Sequence, residues 1–432
     1  MMPFFMDQLQ KIYDCYRTSE GVFTDTRTPK NGGLFFALTG PNFDGNAYVE
    51  EAFKKGATAA VVSDPKWANH PNCIFQENTL TSLQALAQLH RSYFKGIVIA
   101  ITGSNGKTTT KELFKTNLSL HGGTYATQGN YNNHIGVPLT LLEMPTDGDY
   151  YIVEMGANHK GEIAALCDIA TPDWGYITNF GSAHLEGFGS KEGIIQGKTE
   201  LYRHLIANEK NILFNADDTA QKTHIGSYPH SISFGTKAAT FTFDYTTDSD
   251  SISIQHNNTV YKSGMYGSYN TPNIAAALAF GLQQQIPPAQ LQQGLENYHP
   301  IANRSQIVKT SHNTLLMDAY NANPNSMQAA LTAFATQEGK HKIVVLGDMM
   351  ELGTYSVNAH QELINLLRNY SFEMVLIVGE AFAKTRNHPK NTKLFANTAS
   401  CKAWLKTQQL LQKFILLKGS RSMALETLQS VL

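Results

Sequence analysis

Cysteine is scarce: Cys15, Cys73, Cys167 and Cys401 are the four in 432 residues. They lie far apart and form no CxxC pair and no disulfide framework, so a reducing cytoplasm is the expected compartment. Neither sign of charge is in excess, with 34 Lys+Arg against 35 Asp+Glu and a formal net charge of -1. A general nucleic-acid binder would carry a basic surplus, so no nucleic-acid partner is expected. No apolar run approaches the ~18 residues that a membrane helix needs. At the N-terminus Asp7 interrupts before a signal-like stretch forms, so neither membrane insertion nor export is expected. Repeats and low-complexity tracts are also missing. What is present is a 42% apolar composition, enough for sizeable cores, which excludes a disordered or fibrous chain. The length suits several domains. The expectation is a soluble intracellular enzyme.

Three segments follow from the pattern. Up to residue 94, short β-rich runs (Val22-Phe-Thr, Leu34-Phe-Phe-Ala, Ala59-Ala-Val-Val) alternate with helical stretches such as Tyr48 to Lys55, as in a small α/β domain. Residues 95–302 open on Gly96-Ile-Val-Ile-Ala-Ile-Thr102. They continue with the buried-strand runs Tyr150 to Met155, Gly175 to Thr178 and Asn211 to Phe214, separated by helical patterns at Lys107 to Leu120 and Lys191 to Ile206. Such alternation predicts a mostly parallel sheet. Ser231 to Tyr261 reads as an antiparallel addition at its edge. Residues 303–432 repeat the strand–helix alternation with Leu315 to Met317, Ile343 to Leu346, Met374 to Val378 and Phe414 to Leu417, which predicts a second doubly wound domain. A cleft between domains is the expected place for a site that takes several substrates.

The most specific local signal is Thr102-Gly103-Ser104-Asn105-Gly106-Lys107-Thr108-Thr109, between a buried strand and a helix. Glycines let successive N–H groups turn inward around a phosphate, and the helix N-terminus adds partial positive charge. Lys107 supplies a point charge for the β- and γ-phosphates, and the Thr108 hydroxyl suits Mg²⁺. Two residues separate the glycines where the common phosphate loop has four.

Other polar residues sit where strands end. Glu154 closes an apolar run and either shares a Mg²⁺ with nucleotide phosphates or is a solvated strand-end carboxylate. His184, one of 15 histidines, follows the next strand and is either a ligand or structural. Lys198 reads as a solvated lysine in mid-helix. The Gly129-Asn130-Tyr-Asn132-Asn133 turn and the pair Asn270 and Asn273 suit adenine edges or phosphate oxygens, with turn-making and helix capping as the alternative. Asp318, followed by Tyr320, Asn321 and Asn323, stands where a ribose or other ligand is contacted, with a plain helix cap at Ser326 or Asn325 as the competing account. Lys418-Gly-Ser420-Arg421 either binds an anion or is a loop.

Taken together, these segments resemble the Mur ligase family over essentially the whole chain. Thr24-Asp25-Thr26-Arg27, Leu34 to Leu38 and Phe43-Asp44-Gly45 are similar to that family's N-terminal uridine-nucleotide domain, and the short phosphate loop is the family's own form. Further matches are Glu154 to His159, His184 to Gly189, Tyr320 to Pro324, Gly347-Asp-Met-Met-Glu-Leu-Gly353 and Lys418 to Arg421.

The resemblance implies three α/β domains: a uridine-nucleotide domain (1–94), a central ATP-binding domain (95–302) and a Rossmann-like domain (303–432). It implies an ATP-dependent amide ligase that joins D-Ala-D-Ala to UDP-MurNAc-tripeptide, working in the cytoplasm as a monomer. Two Mg²⁺ are implied, one held by Thr108 and Glu154 and the other by His184, with Lys198 carbamylated beside the second. Asn270, Asn273, Arg304 and Asp318 match ATP-contacting positions, and Lys107, Lys198, His184 and Arg304 would serve catalysis. Substrate contacts fall to Thr24, Asp25, Thr26, Arg27, Asn130, Asn133, Tyr320, Asn321, Asn323, Lys418, Ser420 and Arg421. Two departures stand out: His134 replaces a usual Glu, and Asn303-Arg304-Ser-Gln306 replaces Gly-Arg-x-Glu. An Asp-Asn-Pro-Arg segment, carried by siblings that add diaminopimelate, is absent.

Overall fold

The structure, a computed structural model, describes residues 2–248, 251–300, 303–337, 339 and 341–432. The expected join between the second and third segments, at 302 and 303, falls beside residues 301 and 302, which lie outside the described residues.

Three parallel or mostly parallel sheets succeed one another. The first has four strands in the order Val22–Phe23, Leu34–Phe36, Ala59–Val62 and Cys73–Phe75, all parallel. The second has seven, in the order Phe241–Thr242, Ser231–Gly235, Asn211–Asn215, Trp174–Ile177, Ile97–Thr102, Tyr150–Glu154 and Thr124–Ala126, again all parallel. The third runs Gln306–Lys309, Thr314–Asp318, Phe414–Lys418, Lys342–Gly347, Met374–Val378 and Thr392–Phe395, with its first strand antiparallel.

The unbroken apolar runs reflect sheets covered on both faces. In strand Ile97–Thr102, Ile99 and Ile101 pack on Leu113, Phe114 and Phe280, while Val98 and Ala100 pack on the opposite side with Leu86, Leu141 and Leu166. This period-2 split places helices Lys107–Leu118 and Thr271–Gln283 on one face. Helix Thr79–Arg91, capped by the Asn78 side chain, covers the other. Arg91 fixes it there by donating to the carbonyls of Ala170 and Thr171 and pairing with Asp173 at 2.9 Å.

Two expectations need correction. Ser231–Gly235 is not antiparallel: it continues the parallel sheet beside Asn211–Asn215, and the antiparallel three-stranded piece starts only at Asp244. Alternation of side chains is the same in either direction, so direction is set by the pairing partner. The helix expected over Lys191 to Ile206 is two, Lys191–Lys198 and Glu200–Ala207. Lys198 therefore ends a helix and is buried, whereas a solvated mid-helix lysine was expected.

In the second sheet the strand leading to Gly103 is central. Its next strand in sequence, Thr124–Ala126, goes to the nearer edge of the sheet, and the chain then returns to flank it on both sides with Tyr150–Glu154 and Trp174–Ile177. That reversal opens a crevice at the carboxyl ends of the strands. In register, Glu154 pairs with Ile101, and Ile177 with Thr102. The third sheet presents its own strand ends, Asp318 and Lys418, to the same crevice.

Candidate active site

The crevice is a cavity of about 1110 Å³ lined by residues of the second and third segments. Its floor is the glycine loop. Gly103 has φ +136°, and a Cβ there would lie 2.0 Å from Thr178 Oγ1, so only glycine fits. The loop is braced from the neighbouring strand end: Thr178 Oγ1 and Asn179 Nδ2 both donate to Asn105 O, at 2.5 and 2.9 Å, and Ser104 Oγ donates to Gly181 O at 2.6 Å. Lys107 Nζ folds back to donate to Gly103 O at 2.7 Å, and burial pushes its pKa down. Ser104 N and Asn105 N are spent on the same bracing, donating to Asn179 O (3.0 Å) and Asn179 Oδ1 (3.2 Å), so the anion-favouring end of the loop is the start of helix Lys107–Leu118.

Glu154 is buried and fully engaged. Oε2 accepts from Thr108 Oγ1 at 2.8 Å, and Oε1 accepts from Asn132 Nδ2 at 2.8 Å. The reading of a solvated strand-end carboxylate is therefore excluded. The sequence names Asn132 as part of the polar turn but assigns it no substrate contact. The residues assigned one, Asn130 and Asn133, also line the cavity, but Asn133 Oδ1 is used in the turn, accepting from Ile135 N and Gly136 N. Nothing local distinguishes three nearby asparagines.

Asn270 and Asn273 form a buried pair. Asn273 Nδ2 donates to Asn270 Oδ1 at 3.0 Å, and Asn273 Oδ1 accepts from Thr110 Oγ1 at 3.1 Å. Asn270 makes no side-chain cap, so the capping alternative fails for it. Across the crevice, Asp318 accepts from Ser305 N and pairs with Lys418 Nζ at 2.6 Å. The Arg304 guanidinium lies 3.6 Å from the Tyr320 ring centroid, and that of Arg421 lies 5.5 Å from it. Arg304 Nε is buried with no hydrogen-bond partner among the described residues, a donor left over for a ligand. Asn303 and Ser305 on either side have φ 58° and 51°. Asparagine tolerates this left-handed region best among non-glycine residues, which suits Asn303 to its position.

Asn323 joins the two halves. It caps helix Pro324–Thr336, accepting from Ser326 N, while its Nδ2 donates to Asn105 Oδ1 of the glycine loop at 2.6 Å. Asn321 lines the cavity, its Oδ1 accepting from Ala322 N. His184 also lines the cavity and pairs through Nδ1 with Glu351.

Lys198 Nζ is enclosed near Ala157 O (3.3 Å) and 5.3 Å from the Phe188 ring centroid, and burial pushes its pKa well down. Ser420 is buried and accepts from Met350 N at 2.9 Å, outside the cavity lining. Thr24, Asp25, Thr26 and Arg27 stand apart from the cavity on the first domain. There Arg27 holds the exposed Asp25 carboxyl down to about 2 by a bidentate pair.

Hard cations prefer oxygen ligands, and Mg²⁺ characteristically takes one or two protein groups plus phosphates. Thr108 Oγ1 and Glu154 Oε2 converge in that manner beside the start of helix Lys107–Leu118, and no group of three or more His, Cys, Asp or Glu among the described residues forms a dedicated metal cage. The donor set suits a nucleotide-bound Mg²⁺.

Comparison with known proteins agrees with this arrangement. Residues 101–281 match the Mur ligase middle domain, and residues 303–421 match the Mur ligase, glutamate ligase domain. The UDP-N-acetylmuramoyl-tripeptide–D-alanyl-D-alanine ligase of Bacillus subtilis (strain 168) is 36% identical over 79% of this chain and 76% of that protein. The chain belongs to the Mur ligase family. The ligase of the same name from Escherichia coli (strain K12) is 33% identical, covering 95% of this chain and 92% of the relative. Among solved family structures, MurF from Acinetobacter baumannii superposes with TM-score 0.87 at 29% identity, covering 98% and 97% of the two chains. MurF from Thermotoga maritima in complex with ADP does so with TM-score 0.84 at 26% identity, covering 96% and 97%. The three-domain family architecture holds throughout.

Proposed function

We propose that this chain is the ATP-dependent ligase that joins D-Ala-D-Ala to UDP-MurNAc-tripeptide, giving the pentapeptide precursor of peptidoglycan. The observation that carries the chemistry is the glycine loop, with Thr108, Asn132 and Glu154 on one wall and Arg304, Asp318 and Lys418 on the other. Full-length likeness to ligases of that name supports the substrates.

A carboxylate and an amine do not condense unaided at neutral pH. In this reading the tripeptide carboxylate attacks the γ-phosphate of ATP: a C–O–P bond forms and ADP leaves. The amine of D-Ala-D-Ala then attacks the acyl carbon, an amide forms, and inorganic phosphate departs with the electron pair. The N–H groups at the helix start and Lys107 offset the repulsion between two anions and the charge that develops. Arg304, which lines the same crevice, adds positive charge there. Asn270 and Asn273 hold the base, and Asp318 the ribose. Thr108 and Glu154 would hold one Mg²⁺ and His184 a second, which would supply charge neutralisation on the phosphates. The first domain, over 1–94 and through Thr24 to Arg27, holds the uridine nucleotide. Asn130, Asn133, Tyr320, Asn321 and Lys418, which line the crevice, contact the reacting peptide ends, with Arg421 reaching them from beside the Tyr320 ring. The contact of Asn323 with the loop shuts water from the acyl phosphate. The enzyme works as a cytoplasmic monomer. No helix among the described residues is long and apolar enough to cross a membrane.

The test is phosphate release from ATP with UDP-MurNAc-tripeptide. D-Ala-D-Ala is offered against single amino acids, and meso-diaminopimelate and L-Lys are offered separately with the UDP-linked dipeptide. Turnover with D-Ala-D-Ala at least a hundredfold above the others is expected, since an unpaired distal ammonium would be buried without a partner. Preferred use of either diamino acid overturns the substrate assignment.

A further inference from the structure

The second and third domains also meet beside His184, away from the glycine loop. Segment His184–Gly189, just past a central strand, docks on the loop Gly347–Tyr355 of the third domain. Glu186 N donates to Glu351 O at 3.3 Å, Tyr355 Oη donates to Gly189 O at 3.4 Å, and the His184 ring pairs through Nδ1 with the Glu351 carboxylate. His184 and Glu351 have φ 55° and 62°. Each is a non-glycine residue in the left-handed region, a strained conformation that persists only where surroundings enforce it.

The loop that offers Glu351 is pinned at successive peptides. Asp348 accepts from Ala381 N and Phe382 N (2.9 and 3.0 Å), Met349 N donates to His360 Nε2 (3.0 Å), and Met350 N donates to Ser420 Oγ (2.9 Å). Glu351 is therefore presented by a rigid mount, although its side chain is 54% exposed. An exposed pair of this kind contributes little to stability by itself. Its geometry matters more. A carboxylate on Nδ1 fixes the tautomer of the imidazole, leaving Nε2 with its lone pair free. His184 lines the cavity and Glu351 does not, and no other partner of the His184 ring exists among the described residues.

We propose that Glu351 is a positioning residue supplied by the third domain: by accepting from His184 Nδ1 it orients the ring for a divalent cation through Nε2, so that this cation binds tightly only when the two domains are closed. The inference rests on the ligase reading, in which His184 holds one of two cations. Domain contact and cation affinity then become linked, because the orienting carboxylate and the ring it orients come from different domains.

The experiment is a Mn²⁺ titration followed by electron paramagnetic resonance. It uses the full chain with a non-hydrolysable ATP analogue, without turnover. Wild type should take up two Mn²⁺; failure to do so overturns both the metal reading and this inference. In Glu351→Ala one of the two should weaken by about tenfold or more. Glu351→Gln, which keeps an acceptor at the same reach and the same backbone, should recover part of that loss. In a His184→Ala background, Glu351→Ala should add nothing. Equal Mn²⁺ affinity of Glu351→Ala and wild type, or a further loss in the His184→Ala background, overturns the inference while leaving the ligase reading intact.

Discussion

Lys198 shows how much a single buried side chain decides. Its ammonium would sit beside a carbonyl and a phenyl ring with no carboxylate bonded to it, and Lys107 adds like charge nearby. Burial, the largest cause, pushes the pKa well down, which favours the neutral amine over the ammonium. A neutral amine can attack CO₂: an N–C bond forms, one proton leaves to solvent, and the cation becomes an anionic carbamate. That reverses the sign of charge without changing the sequence. Lys198→Ala should retain the fold and lose more than about 99% of turnover, a ratio worth about 2.7 kcal/mol in transition-state stabilisation. Short carboxylic acids should restore part of it by occupying the vacated place. Lys198→Arg should stay inactive, since arginine cannot supply a negative charge. Steady-state phosphate release checks all three, and normal activity of Lys198→Arg would end the carbamate reading.

At the scale of elements, the informative contact is between helix Pro324–Thr336 and the glycine loop. Asn323 performs two tasks, capping that helix and bonding to Asn105. Replacing Asn323 by alanine should cost about 1 kcal/mol of helix stability and also release the loop. Asn105→Ala should release the loop alone. ATP affinity measured across the double-mutant cycle should show a coupling of about 0.5–1.5 kcal/mol; strict additivity would mean that the contact has no part in closure. The loop itself, its strand and its helix were readable in sequence, because glycine spacing, β-branched runs and a following Lys-Thr-Thr are local signals. So were the third-sheet strands ending at Asp318 and Lys418. Three features were not readable: the parallel direction of Ser231–Gly235, the helix break at Thr199 and the Asn132 bond to Glu154. Each depends on what lies opposite in space, which side-chain periodicity does not encode. Ser420 is the reverse case: a loop serine beside Arg421 looks like a ligand contact, yet it bonds to Met350 N and supports the mount of Glu351.

For the whole molecule, acid stability can be read from two histidines in different places. His90, on helix Thr79–Arg91, sits between Tyr16 of the first domain and Met144 O of the second, and its Nδ1 is buried without a partner among the described residues. His360 is fully buried in the third domain, with Nδ1 against Ser356 O and Nε2 accepting from Met349 N. Burial, the largest cause, lowers both pKa values below the usual 6.5. Below pH 6.5 the unfolded chain therefore binds protons that the folded chain does not, and stability falls with pH until each folded pKa is passed. The carboxylates work in a different window. Asp25, held at about 2 by Arg27, and Glu373, lowered by Lys413, contribute above the usual carboxylate range and lose that contribution only as pH drops through it. Between pH 7 and 5 the histidines should thus dominate. The slope is up to about 1.4 kcal/mol per pH unit for each proton taken up. Urea midpoints should decline over that range, and His90→Gln, which removes one titrating group at the seam of the first two domains, should flatten the decline. A midpoint independent of pH from 7 to 5 in wild type, or an unchanged slope in His90→Gln, would show that protonation at this seam does not limit stability and that acid acts on the carboxylate pairs alone.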